Sequence, residues 1–236
     1  MSTDHPDAAA LAALAAFDTP TLCNALELIL PATRGQGYTT RPALCGFPAM
    51  RPIVGFARTA RIRSKHSPAQ SADKVRAMRR DYYRYIDAGP KPSVVLIEDL
   101  GGADAGYGAF WGEVQSAIHR GLGALGIVTN GSVRDIDQWA PGFQFLAGSI
   151  GPSHAFVHVV EFGAEIDVLG MRVRSGDIIH ADRHGAVVVP AAAVDRAPEA
   201  AQEVARREAR ILAVARGSDC SAARLIDVFD KLDAIH

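Results

Sequence analysis

The chain has 236 residues, 48% hydrophobic and 22% charged, which suits one good-sized globular domain and excludes a disordered polymer. Twenty-five Lys and Arg against twenty-six Asp and Glu leave a net charge of −1 with no basic block, so small molecules or other protein chains, not nucleic acid, are the expected partners. Cys23, Cys45 and Cys220 are scattered and odd in number, a pattern of a reducing compartment and not of a disulfide framework.

The opening residues are alanine-rich but carry Asp4 and Asp7 and no Lys or Arg, so they lack the positive start of a signal peptide. No apolar run reaches the roughly 18 residues of a membrane span. Both observations predict a cytoplasmic protein that does not enter a membrane. Thr19 and Pro20 predict a helix start, with Thr19 as cap, Pro20 in the first turn and Leu22, Leu26, Ile29 and Leu30 on the buried side. Residues 31–52 form a long loop rich in Pro, Gly and Thr, of the kind that lines a site or crosses to another subunit.

Alternation over residues 55–64 predicts a strand, and residues 69–88 a helix with Val75, Met78, Tyr82 and Tyr85 near one face. The run VVLIEDL at 94–100 reads as a buried strand, followed by a glycine-rich loop at 101–108. A helix over 109–122, a strand ending near 131, a short helical segment at 132–139 and a strand at 143–149 complete an α/β pattern with parallel pairing. Beyond residue 154 short strands joined by Gly and Asp turns predict a β-rich block, antiparallel in part. From 191 onward the chain reads as helical. The expected organisation is one α/β domain over 1–190 with a helical extension over 191–236 packed on it.

Several motifs invite chemistry. Gly121, Gly123 and Gly126 match G-x-G-x-x-G, but the motif follows a helix and precedes a strand, the reverse of a dinucleotide site, and reads as a helix C-cap and tight turn. His180, Asp182 and His184, like His154 and His158, lack a spaced ligand set and read as locally bonded turn and strand histidines. Cys23 and Cys45 have no nearby base in sequence and read as small buried residues.

The strongest constellation joins Gly112, Glu113, Val114 and Gln115 to Gly131, Ser132, Val133, Arg134 and Asp135. The first segment opens a helix, where free N–H groups and the helix dipole receive an anion such as a carboxylate. The second lies past the next strand, at the strand ends where ligands gather in open α/β sheets. Arg134 can grip a carboxylate and polarise a carbonyl. Asp135 can supply the single direct carboxylate of a Mg²⁺ site. A surface ion pair capping a helix is the plainer reading of the same two residues.

The stretches GAFWGEVQSAIHRGLGALGIVTNGSVRD and VRSGDIIHADRHGAVVVP resemble the RraA-like family, over roughly residues 19–195. That family contains the class II 4-hydroxy-4-methyl-2-oxoglutarate aldolases and the regulators of ribonuclease activity, and has carried the label demethylmenaquinone methyltransferase-like. The resemblance implies a swivelling β/β/α sandwich assembled as a homotrimer or homohexamer, with sites between subunits. It implies backbone contacts from Gly112–Gln115 to a pyruvyl group, substrate binding by Arg134, and Mg²⁺ or Mn²⁺ held by Asp135. The implied activity is metal-dependent cleavage of a 4-hydroxy-2-oxo acid to pyruvate, with oxaloacetate decarboxylation alongside; the alternative is a non-catalytic, protein-binding regulator. Asp135 argues for the enzyme, because regulators that lack the aldolase's metal Asp are not expected to catalyse. A methyltransferase is disfavoured because no glycine-rich strand-to-helix loop with a following acidic residue marks a cofactor site.

The chain departs from the family in having Asn130 where Asp is common, Arg183 and His184 in the late turn where acidic residues are usual, and His180 at a commonly apolar position. Glu27, on the N-terminal helix, and Asp99, at a strand end, are candidates for moving a proton or orienting a metal water. The pocket beyond the pyruvyl end is expected from the 31–52 loop and a neighbouring subunit.

Overall fold

A computed structural model describes residues 6–233; the parts of the N-terminal and C-terminal segments at 1–5 and 234–236, including Asp4, lie outside the described residues. The elements run α1 (Ala8–Leu14), α2 (Thr19–Ile29), β1 (Leu44–Cys45), β2 (Ile53–Arg63), α3 (Ala72–Ala88), β3 (Ser93–Asp99), β4 (Ala109–Trp111), α4 (Glu113–Gly121), β5 (Ala124–Val133), β6 (Gln144–Ile150), β7 (His158–Phe162), β8 (Ile166–Val168), β9 (Met171–Val173), β10 (Ile178–Asp182), β11 (Gly185–Val189), α5 (Ala197–Ala215) and α6 (Ala222–Asp233). Among the described residues no single helix is long and apolar enough to cross a membrane.

The main sheet has the order β1-β6-β5-β3-β2-β10-β11, with β4 added beside β5 and β7 beside β2. Its centre, β2-β3-β5-β6, is parallel, as is the β4–β5 pair. The late strands pair antiparallel, β10 with β2 and β11, and β8 with β9 in a separate hairpin. Both faces of the sheet are covered, which explains the unbroken apolar runs in its central strands. On β3, Val95 and Ile97 face a core with Tyr82, Ile86, Trp111 and Phe143. Val94 and Leu96 face the opposite core with Ile166, Val168, Met171 and Val173 of the β8–β9 hairpin. This two-residue alternation is the pleat of the strand. A third core seats α1 and α2 on β2, β10 and β11, and α5 packs on α2 through Ala25, Ala200 and Ala201.

Four sequence readings are corrected. Helix α2 is capped by Asp18, whose carboxylate accepts from Thr21 N–H at 2.9 Å, so Thr19 is the first helical residue; a carboxylate one position earlier outcompetes the hydroxyl. Ile29 and Leu30 are half-buried, while Leu22 and Leu26 are fully buried. The helix expected from 109 starts at Glu113: Ala109 and Trp111 turn inward as a short parallel strand on β5, and Gly112 breaks to the helix in extended conformation. The segment 132–139 continues β5 to Val133 and has only a single 3₁₀ turn at Ile136–Gln138.

Helices α3 and α4 are bonded through a buried pair. His119 Nδ1–H donates to Gln115 O at 2.7 Å, which leaves Nε2 to accept the Tyr82 hydroxyl at 2.8 Å. Trp111 packs beside this imidazole at 4.6 Å between centroids. Burial pushes His119 down to about 4, against a weaker opposing hydrogen bond to Gln115, so the native ring stays neutral. The unfolded chain therefore binds a proton near pH 6.5 that the native state refuses until about pH 4, and stability should fall with pH through that window. The loss at His119 is expected to be about 3 kcal/mol across the window, read from urea midpoints; a His119→Asn variant with an undiminished slope would refute this origin.

Candidate active site

The site is built where β4 and β5 run side by side. Arg134 N–H donates to Trp111 O at 2.9 Å, extending the parallel ladder by one bond. The next residue, Asp135, then adopts left-handed backbone, with φ 52° and ψ 43°. That conformation is uncommon outside glycine but is tolerated by Asp better than by most residues. It turns the chain out of the sheet and brings the Asp135 carboxylate back over Gly112. A Cβ on Gly112 would stand 2.5 Å from Asp135 Oδ2 and 3.1 Å from Arg134 Cγ. Glycine is needed there for space, since its φ of −170° is open to any residue.

Gly112 is also the N-cap of α4, with no side-chain cap. The first-turn N–H groups of Glu113, Val114 and Gln115 are therefore free donors beside Arg134 and Asp135. The helix start is anchored from behind by Ser116, whose hydroxyl donates to Glu113 O at 2.8 Å and accepts from Ala140 N–H at 3.1 Å. These groups open onto a cavity of about 390 Å³ whose wall includes Val114, Gln115, Arg134 and Asp135. The Glu113 side chain is exposed and is not part of that wall, so only its backbone is placed to contribute. The Gln115 amide is engaged with the Tyr83 hydroxyl at 3.1 Å, fixing α3 beside the helix start.

Arg134 Nε lies 3.5 Å from Asp135 Oδ2, and the two side chains remain 36% and 38% exposed. Among the described residues the Asp135 carboxylate accepts no hydrogen bond, so its oxygens are open to a cation. No three His, Cys, Asp or Glu among the described residues cluster as a metal-ligand set. A lone, open carboxylate in a cradle that a methyl group would fill suits a hard, largely hydrated Mg²⁺ or Mn²⁺, and does not suit the closed ligand sets of zinc.

The other sequence candidates are committed elsewhere. Asp99 accepts from Gly101 N–H and Gly106 N–H, both at 2.9 Å, and from the Ser64 hydroxyl at 3.0 Å: it caps the glycine-rich loop. Glu27 pairs with Arg34 at 3.7 Å and lines a separate cavity of about 480 Å³, which also takes Thr33, Gln36 and Tyr38 from the 31–52 loop. That loop is absent from the described wall of the Arg134–Asp135 cavity. The far wall comes instead from Arg76 and Arg79 of α3 and from His154, Val157 and His158. Sequence reasoning missed the two arginines, because they sit on the polar face of an amphipathic helix.

His180 is buried, donating from Nε2 to Phe17 O at 3.0 Å and meeting the Thr19 hydroxyl at 3.1 Å through Nδ1; burial lowers its pKa, and it serves the packing of α2. Asp182 is held below the usual carboxylate range: burial opposes this, and the donors of Thr19 and His184 outweigh it. Burial pushes Cys23 up to about 11, which makes it a poor nucleophile. The G-x-G-x-x-G stretch ends α4, with Gly123 at φ 88° in the turn into β5.

Asn130 explains itself locally. Its amide oxygen accepts from Asp99 N–H at 2.7 Å and its NH₂ donates to Asp99 O at 3.0 Å, clipping β5 to β3. A carboxylate can make only the first of these bonds.

Fold and site together define an α/β protein with a helix start that has no side-chain cap, at the carboxyl end of parallel strands. The family model described as RraA-like, Aldolase/RraA, matches residues 19–188, and the chain belongs to that family. The family includes both class II aldolases and inhibitors of ribonucleases. Protein DlpA of Legionella pneumophila subsp. pneumophila is 27% identical over 149 residues, covering 59% of this chain but only 23% of its own length. Two solved structures share the fold. An uncharacterized protein of Pseudomonas syringae pv. tomato superposes with a TM-score of 0.66 at 21% identity, over 92% of this chain and 98% of that one. Streptomyces coelicolor RraAS2, described as an unusual member of the RNase ES inhibitor RraA family, gives 0.66 at 20% identity, over 87% and 96%.

Asn130→Asp is expected to destabilise the fold by about 1–3 kcal/mol, since it sets a carboxylate oxygen against the Asp99 carbonyl. Urea denaturation measures this; unchanged stability would show that the clip contributes nothing. Gly112→Ala should displace Asp135 at a cost below about 1 kcal/mol, because the group that must move is a side-chain end, while weakening Mn²⁺ binding about tenfold or more. Paramagnetic relaxation of water protons by Mn²⁺ reads the affinity, and an unaltered value would remove the role given to the cradle.

Proposed function

We propose that this protein is a divalent-metal-dependent lyase that cleaves a 4-hydroxy-2-oxo acid to release pyruvate, with oxaloacetate decarboxylation as a second reaction of the same site. The observation that carries this reading is the approach of Arg134 and Asp135 to the glycine-capped, donor-rich start of α4. Both reactions leave an electron pair on the pyruvyl fragment, and that pair needs positive charge at the 2-oxo oxygen.

In this scheme the first-turn N–H groups of α4 bind and orient the substrate carboxylate, with the helix dipole in support. Arg134 donates hydrogen bonds to the 2-oxo acid and places its fixed charge where negative charge develops. Asp135 holds Mg²⁺ or Mn²⁺, and Gly112 leaves room for the carboxylate to do so. A cation held there would supply Lewis acidity to the substrate. Trp111 and Phe110 back the site with apolar surface, which limits water on that side. Asp99 is engaged by the glycine-rich loop, so it is not assigned the proton transfer. Self-association as a trimer or hexamer belongs to the same reading and is supported by the exposed Tyr107, Ile150 and Phe156.

Pyruvate release from oxaloacetate and from 4-hydroxy-4-methyl-2-oxoglutarate, corrected for metal-catalysed background, should require Mg²⁺ or Mn²⁺ and vanish with EDTA. Arg134→Ala and Asp135→Ala should each lower kcat/KM by about 100-fold or more. Metal-independent turnover, or full activity in both variants, would overturn the mechanism; release from neither acid would favour the protein-binding regulator.

A further inference from the structure

The wall opposite the α4 start carries a charge that no group among the described residues pairs with. Arg134 is offset by Asp135, and Arg76 pairs with Asp73 one turn earlier on α3. Arg79 lines the same cavity with no hydrogen-bond or ion-pair partner among the described residues. The α3 backbone that carries it is held in place, because Tyr82 and Tyr83 of the next turn bond to His119 and Gln115 of α4. Arg79 precedes Tyr83 by one helical turn, about 6 Å along the axis, and shares its face. The order along this groove is therefore the free N–H groups of α4, then Gln115 with Tyr83, then Arg79. His154 and His158 complete the far wall, their Nδ1 atoms each bonded at 2.7 Å to the carbonyls of Ala155 and Phe156, with Nε2 left over.

We infer that Arg79 is a specificity-determining residue that binds the distal carboxylate of a dicarboxylic 2-oxo acid, while the α4 start holds the proximal one. The inference rests on the proposed lyase site and adds the substrate's far end. A guanidinium left unpaired beside a cavity that already receives one anion is complementary to a second. An apolar or neutral tail would leave that charge facing it uncompensated, so monoacids are selected against.

The test compares 4-hydroxy-2-oxoglutarate with 4-hydroxy-2-oxopentanoate, which differ only in a distal carboxylate against a methyl. Wild-type enzyme should prefer the dicarboxylate, and Arg79→Gln should lower the ratio of the two kcat/KM values about tenfold or more, chiefly through KM of the dicarboxylate. Arg79→Lys should restore part of the ratio. An unchanged ratio, or an equal fall for both acids, would overturn the assignment. Calorimetric binding of 2-oxoglutarate against 2-oxopentanoate in the presence of Mg²⁺ separates this inference from the lyase reading. If no acid is cleaved but 2-oxoglutarate binds more tightly and Arg79→Gln removes the difference, the subsite stands without the reaction. If cleavage occurs and the variant keeps the preference in both assays, the reaction stands and the subsite falls. Arg79 is exposed and unpaired, so its variants should melt with the wild type, and circular dichroism checks this.

Discussion

A missing methyl group is the constraint on which the site depends. The parallel ladder of β4 on β5 sets Gly112 beside Arg134 and Asp135, at a spacing that no residue with a Cβ would permit without displacing the carboxylate. The same glycine begins α4 without a side-chain cap, so the helix presents its free donors into the space that the carboxylate borders. One residue thus serves two ends: it lets a negative group approach and leaves positive partial charge unclaimed nearby. The left-handed turn at Asp135 is the matching adjustment on the other segment. Such a backbone conformation costs about 1 kcal/mol or more, and it persists because the ladder before it and the 3₁₀ turn after it fix both sides.

The surroundings keep this arrangement rigid while leaving its charges accessible. Tyr82, His119 and Trp111 form a buried aromatic layer behind the helix start, with the imidazole held neutral between two hydrogen bonds. A neutral histidine there bonds α3 to α4 without placing a cation beneath the donors that would receive an anion. Ser116 and the Asn130–Asp99 clip serve the same end from the opposite side. The polar groups not used for anchoring, Arg134, Asp135 and Arg79, all border the cavity. In the proposed lyase, preorganisation of this kind would let fixed charges act on developing charge without reorganising.

Membership of the RraA-like family shows the fold and leaves the chemistry to the residues, since the family holds both lyases and ribonuclease inhibitors. The structural relatives share the architecture at identities near 20%. Activity must therefore be argued from the site. The Arg134–Asp135 pair is partly exposed and adds little to stability, so its place in the site is argued from geometry and not from energy.

Much of the fold was legible in the chain. The alternation of β3 marks its two buried faces, the helix of α3 follows from its amphipathic spacing, and the glycine turn at Gly123 follows from its place between helix and strand. The juxtaposition of Gly112–Gln115 with Arg134 and Asp135 was legible too, because consecutive strand–helix–strand units place their loops at one sheet edge. Strand β4 was not, since three residues running straight into a helix carry no period of their own and become a strand only by pairing with β5. The cap of α2 turned on competition between neighbouring Asp18 and Thr19, which the tertiary backbone decides. Arg79 was the least visible. Hydrophobic periodicity reports which helix face is buried, but gives one signal for a polar face whether it meets bulk water or closes a cavity. The sequence by itself determined most of the elements and set Gly112–Gln115 beside Arg134 and Asp135; only the packing of α3 against α4, across segments distant in the chain, decided what stands opposite.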